Sequence, residues 1–157
     1  MSNDITTDAA RRWIERVLSC LGIPSSQREE CVARGSVALG DVVVLFLEPL
    51  YGELNFIIVR ALVGELPPEG QCERLYQMAL EVQANFCGPY VPMLCLDWPS
   101  RTLMVSTQLD IVAMAADDAA QVLVGLREMA LQWRAAIAQH RSVGEPVGAG
   151  MPMAATR

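Results

Sequence analysis

Hydrophobic residues recur at intervals of three and four in three stretches of the chain, which is the spacing of one face of an α-helix. These stretches lie within residues 6–24, 69–86 and 117–139. Gly22 follows the first stretch and Gly88 the second, and glycine at such positions ends a helix. The third stretch is the most regular, with apolar residues at Val122, Leu126, Met129, Trp133 and Ile137. We therefore predict three helices, the last of them long.

Four stretches between these helices are rich in β-branched and aromatic residues, which favours β-strands. They are "DVVVLFLEP" (41–49), "LNFIIVRALVG" (54–64), "YVPMLCLD" (90–97) and "TLMVSTQL" (102–109), and "CVARGSVAL" (31–39) can hold a further short strand. Short connections with proline or glycine join neighbouring strands, so these pairs are antiparallel. The order α-β-β-β-α-β-β-α predicts an α+β fold with a twisted antiparallel sheet of about five strands and three helices.

The hairpin at residues 42–62 is apolar on both faces, whereas polar and apolar residues nearly alternate at residues 102–109. Apolar surface that helices leave uncovered usually marks a binding site, but helices could also cover both faces. For an uncovered face, we predict a binding groove made of part of the first helix and one parity of the hairpin: Trp13, Val17, Val44, Phe46, Phe56 and Ile58. The opposite parity is Val43, Leu45, Ile57 and Val59, and the pattern leaves open which set is core.

The second helix carries more apolar surface than a single contact with a sheet requires. One stripe can pack on the sheet while another contacts a partner, so we predict a homodimer that forms through this helix. The predicted dimer-interface residues are Leu75, Met78, Ala79, Val82 and Phe86.

The chain has 157 residues, which fits one domain. We assign residues 1–140 to that domain and predict a disordered tail at 141–157, where small residues follow no periodicity. The net charge of −6 argues against nucleic acid as a partner. The N-terminal residues have no basic or apolar segment typical of a signal peptide, and the longest apolar run, residues 42–47, is too short to span a bilayer. We therefore expect a cytoplasmic protein without membrane insertion.

Residues suited to catalysis or metal binding are scarce. All twelve basic residues are arginine, which excludes a P-loop lysine and a Schiff-base lysine. The single histidine, His140, follows the last predicted helix and resembles a solvated residue more than a general base. The five cysteines lack metal-ligand spacing and are interpreted as small hydrophobic residues: Cys20, Cys31, Cys72, Cys87 and Cys95. We predict no catalytic, cofactor-binding or metal site, and hence no enzyme.

The stretch "QANFCGPYVPMLCLDWPSRTLMV" (83–105) carries a family resemblance. A helix that ends in "ANFCG", the strand "PMLCLD", a short turn and a strand before a long final helix with "QWRAAI" resemble the second half of class I type III secretion chaperones. Asn85 matches an asparagine near the end of that family's second helix. Leu94, Leu96 and Asp97 match a strand that ends in Leu-x-Leu-Asp. In order of elements, the likeness spans residues 7–139.

This resemblance implies a cytoplasmic homodimer that binds the unfolded N-terminal segment of secreted effector proteins. Members of the family keep that segment competent for export and deliver it to the export ATPase without hydrolysing anything themselves. The predicted groove would then be the effector-binding surface, although the resemblance leaves open whether one or several effectors bind. Two alternatives are a non-catalytic dimeric adaptor or regulator that binds a folded partner, and a small enzyme that uses Asp97 or a cysteine.

Overall fold

The computed structural model describes residues 7–49, 55–68, 72–85 and 91–143. These ranges contain four helices and five strands. Two helices precede the first three strands, one helix separates these from the last two strands, and one helix follows. In chain order, they are α1 (Asp8–Cys20), α2 (Ser25–Arg34), β1 (Ser36–Leu39), β2 (Val42–Leu47), β3 (Phe56–Glu65), α3 (Glu73–Ala84), β4 (Met93–Asp97), β5 (Thr102–Asp110) and α4 (Ala116–Val143).

The five strands form one antiparallel sheet in the order β1-β2-β3-β5-β4. The ten-residue β3 lies at the centre, and a register shift against β5 occurs between Leu62 and Gly64. Gly64 has a φ of 145°, which side chains other than glycine rarely adopt. The α+β class and the antiparallel sheet of five strands are confirmed. The predicted helix count was too low by one, because α2 buries only Cys31 and Val32 and so has no apolar stripe.

The core lies on one face of the sheet, between the strands and helices α1 and α4. Antiparallel pairing places Phe46 opposite Val59 and Val44 opposite Ala61, so these side chains share this face. The indole of Trp13 is buried under α4 and donates a hydrogen bond to the carbonyl of Met114 over 3.1 Å. Large side chains with less than 2% exposure include Trp13, Ile14, Val17, Val44, Phe46, Ile57, Leu109, Leu123 and Leu126.

Two arginines of α4 attach this helix to the ends of the strands. Arg127 Nε donates to the carbonyl of Leu39 over 2.9 Å. The guanidinium of Arg134 donates to three carbonyls, those of Asp41, Leu62 and Val63. The last two lie at the register shift of β3, which occurs between Leu62 and Gly64. A guanidinium can satisfy several acceptors at once because it presents five N–H donors in one plane.

Each helix in the described part of the chain is too short or too polar to cross a membrane. The residues after Val143, which make up most of the predicted tail, lie outside the described residues.

Candidate functional site

The face of the sheet opposite the core is also apolar along β2 and β3, and we call it the open face. It consists of the strand residues whose side chains alternate with the core set. Val43 is 38% exposed. The other apolar residues of β2 and β3 on this face are half-buried: Leu45, Leu47, Phe56, Ile58 and Leu62. Pairing of Leu47 with Ile58 brings side chains of β2 and β3 side by side on this face. A contiguous apolar surface on a sheet is typical of an interaction site.

The charges on the open face are unevenly distributed. Arg60 lies in the middle, opposite Leu45 on one side and Ser106 on the other. Carboxylates lie only at strand ends, at Glu65, Asp97 and Asp110. The carboxylate of Asp110 accepts hydrogen bonds from two backbone amides of the following turn, over 2.8 and 2.9 Å. The carboxylate of Asp97 accepts one from the hydroxyl of Ser100. Among the described strand residues, Arg60 is the only arginine on this face.

The predicted groove residues do not share one surface. Phe56 and Ile58 lie on the open face, whereas Val44 and Phe46 are 0% exposed and belong to the core. The expectation that one groove contains all four is therefore corrected. The reason is the register, because Phe46 is opposite Val59 and not Ile58. From the opposite predicted set, Val43 and Leu45 lie on the open face, while Ile57 and Val59 are core.

The two residues that were predicted on the first helix also face inward. Val17 is 0% exposed and Trp13 is 1% exposed, so neither offers a surface for docking. Trp13 only reaches the floor of a groove of about 670 Å³ between the start of α1 and the end of β5. The walls of this groove include Arg12, Arg16 and Val112. Trp13 and Val17 are thus core residues, which corrects their assignment to an exposed binding margin.

The predicted dimer helix, α3, has one face toward the core and one toward solvent. Leu75 is 2% exposed, and Met78 and Ala79 pack beside it. Val82 is 36% exposed and borders a shallow groove of about 230 Å³ between α3 and α4. Phe86 lies outside the described residues.

Sequence reasoning missed one exposed apolar residue of α3, Leu80, which lies one turn from the exposed Tyr76. Leu80 is 68% exposed and Tyr76 is 38% exposed. Leu80 fell outside the periodic stripe that begins at Leu75, and this stripe is the one that packs on the core. An exposed leucine beside that stripe was the available signal for a second apolar face.

The polar residues of the stretch at 83–105 stabilise ends of helices and strands. Asn85 is the residue at the end of α3, and its side-chain amide donates to the carbonyl of Glu81 over 2.8 Å. Asp97 ends β4 and accepts from Ser100 in the turn to β5. The structure does not place these side chains together in a common pocket. The side-chain amide of Asn85 and the carboxylate of Asp97 thus each have a hydrogen-bond partner nearby in the chain, which explains why these residues lie at the ends of α3 and β4.

The thiols are dispersed. Cys31 and Cys72 are buried, Cys95 is half-buried and Cys20 is exposed. Cys72 Sγ donates to the carbonyl of Pro67 over 3.1 Å, which holds the start of α3 to the preceding segment. Within the described ranges, no three histidine, cysteine or acidic side chains come close enough together to hold a metal ion. Cys87 and the side chain of His140 lie outside the described residues.

Comparison with known proteins shows similarity of fold. No protein-family model matches the sequence, and no curated protein matches it. Among solved structures, the Yersinia pestis type III secretion chaperone SycH, in complex with a stable fragment of YscM2, matches with a TM-score of 0.56 and 18% identity. That alignment covers 78% of this chain and 98% of the other.

Two further complexes match over similar lengths. The ExsC–ExsE complex matches with a TM-score of 0.59 and 15% identity, over 84% of this chain and 96% of the other. The HopA1–SchA chaperone–effector complex matches with a TM-score of 0.54 and 14% identity, over 82% and 98%. The chain therefore has the fold of class I type III secretion chaperones, as the motifs around Asn85 and Asp97 predicted.

Proposed function

We propose that the protein is a cytoplasmic type III secretion chaperone that binds the unfolded N-terminal segment of effector proteins and keeps it competent for export. It acts by binding alone, without a catalytic step, and delivers the segment to the export ATPase. The shared fold supports this proposal, as does the presence of a second protein in the SycH and SchA structures. The observation that carries it is the apolar open face.

The open face suits an unfolded segment for a physical reason. Val43, Leu45, Phe56 and Ile58 form an apolar surface that is partly exposed to water. An unfolded segment with apolar side chains can lie across such a surface and remove both sets of side chains from water. Ordering the segment costs about 2–5 kcal/mol, which burial of roughly 1,000–3,000 Å² offsets. A partly exposed surface of this kind also accepts side chains of different shapes.

The two outer strands of the sheet offer a second means of attachment. Each of β1 and β4 has a neighbour on only one side. An extended segment can pair with such an edge through its backbone while its side chains reach the adjacent surface. On β4, Met93 is 53% exposed and shares the open face with Ser106 opposite it. Edge pairing and apolar contact can therefore act on the same segment.

The proposal includes a homodimer that forms through α3. Leu80, Tyr76 and Val82 leave a large apolar area of this helix in contact with water. Aromatic and large aliphatic residues at the centre of an interface contribute most of its binding energy. Two copies that join through α3 would cover these side chains and leave the open face of each chain available.

The test is recovery of the bound polypeptide. The full-length protein is purified from its native host, treated briefly with protease, and the protected fragments are identified by mass spectrometry. We expect N-terminal segments of secreted proteins, protected in the complex and degraded within minutes when free. Recovery of only intact, folded partners would contradict the proposal and favour an adaptor.

A further inference from the structure

A single arginine interrupts the apolar open face at its centre. Arg60 is the middle residue of the central strand, with Ile58 and Leu62 two positions away on the same face. Leu45 lies opposite it on β2 and Ser106 lies opposite it on β5. Arg60 is half-buried and its Nε atom is fully buried, so this donor needs an acceptor.

Among the described residues, the guanidinium of Arg60 has no such acceptor. Its Nε atom is buried and has no hydrogen-bond partner, and no ion pair to this side chain occurs among the described residues. The carboxylates of the open face lie at the far ends of their strands, and those of Asp97 and Asp110 are held by local turns. No described residue therefore neutralises this charge.

Two arginines of α4 that reach the sheet have partners for their donors. Arg127 and Arg134 donate to backbone carbonyls across the sheet. Arg28, on α2, also has a buried Nε without a partner, but it lies on a largely polar helix rather than on an apolar face. The combination of an unsatisfied cation and an apolar docking surface belongs to Arg60 alone among the described residues.

We propose that Arg60 binds a carboxylate of the docked segment, so that the preferred partner is an apolar stretch with one aspartate or glutamate at its centre. This inference rests on the proposed function. A carboxylate suits the site because it accepts two parallel hydrogen bonds from a guanidinium. The protein has a net charge of −6, so overall electrostatics do not attract an acidic segment. The contribution of Arg60 is to set the register of the segment on the face.

The test uses two synthetic peptides that differ at one residue. Both contain alternating apolar residues, and the central position is glutamate in one and glutamine in the other. Binding to the full-length protein is measured by fluorescence anisotropy. We expect the glutamate peptide to bind about tenfold tighter, as one buried charged hydrogen-bonded pair allows. Equal affinity would overturn the role of Arg60 and leave the proposed function intact, whereas failure of both peptides to bind would contradict the docking face itself.

Three variants locate the effect. Arg60→Gln should remove the tenfold preference and leave the affinity for the glutamine peptide within about twofold. The control Arg34→Gln removes the same charge from α2, where the side chain is 59% exposed, and should keep the preference. Arg60→Met keeps the aliphatic stem and removes the unsatisfied Nε, so it should melt at the same or a higher temperature while it loses the preference. A tenfold preference that persists in Arg60→Gln would assign the carboxylate to another group.

One further substitution tests whether the chain's own tail is the occupant. Glu145 lies in a segment that also contains Val147 and Met151. In the full-length protein, Glu145→Gln should leave the affinity for the glutamate peptide unchanged. A several-fold rise in affinity would show that the tail competes for Arg60, which would overturn an external segment as the occupant.

Discussion

Neighbouring residues of β2 differ in role because successive side chains of a strand point to opposite faces. Phe46 is fully buried between the sheet and the helices, while Leu45 lies half-buried on the open face. Both residues are apolar, so the sequence showed that both faces of the hairpin are apolar but left open whether helices cover both and which face is core. That choice depends on which face α1 and α4 cover and on the pairing of Phe46 with Val59. The sequence of the hairpin alone determines neither the covered face nor this pairing.

The difference between the two faces predicts different responses to truncation. Phe46→Ala should lower the free energy of unfolding by about 3–5 kcal/mol, because it opens a cavity in the core. Leu45→Ala should lower it by about 1 kcal/mol or less, because its side chain is already partly in water. Thermal and urea unfolding of both variants measure this directly. If both lose stability to the same degree, the open face is part of the core.

At the scale of elements, α2 and α3 show where periodicity is informative and where it fails. Helix α2 buries only Cys31 and Val32, so no hydrophobic stripe signals its presence. Helix α3 was predicted because Leu75 begins a regular apolar stripe. This stripe faces the core, and the exposed Leu80 lies beside it. A hydrophobic pattern of period 3.6 identifies the buried face of a helix but does not indicate a second apolar face that is exposed to solvent.

The exposed face of α3 predicts the effect of a charge at the proposed dimer interface. Leu80→Asp should give a monomer, because an unpaired carboxylate in an apolar contact costs several kcal/mol. A substitution at Leu80 tests the proposed interface more specifically than one at Met78, because Met78 packs on the core of its own chain. Light scattering at micromolar concentration measures the mass, with Gln121→Asp on the exposed side of α4 as the control. A monomeric wild-type protein would contradict the dimer.

At the scale of the whole molecule, the order of elements was predictable because short connections restrict the topology. Two hairpins, a helix between them and a long final helix leave few ways to build a single sheet. The motif that contains Asn85 and Asp97 then indicated the correct family of folds. The residues that a bound segment would contact could not be predicted in the same way, because no feature of the sequence distinguishes Arg60 from other polar residues in strands. Only the pairing with Leu45 and Ser106 reveals its position at the centre of an apolar face.

Retention of an effector segment by a variant of the open face shows whether the segment binds there. Ile58→Asn introduces a polar side chain beside Arg60, and asparagine avoids the ion pair with Arg60 that aspartate would form. Gln121→Asn on the exposed side of α4 is the matched control, and both variants are first shown to melt like the wild type. We predict that Ile58→Asn retains at least about tenfold less effector segment in a pull-down, while the control retains all of it. Equal retention by both folded variants would contradict the account, because the segment would then bind elsewhere on the molecule.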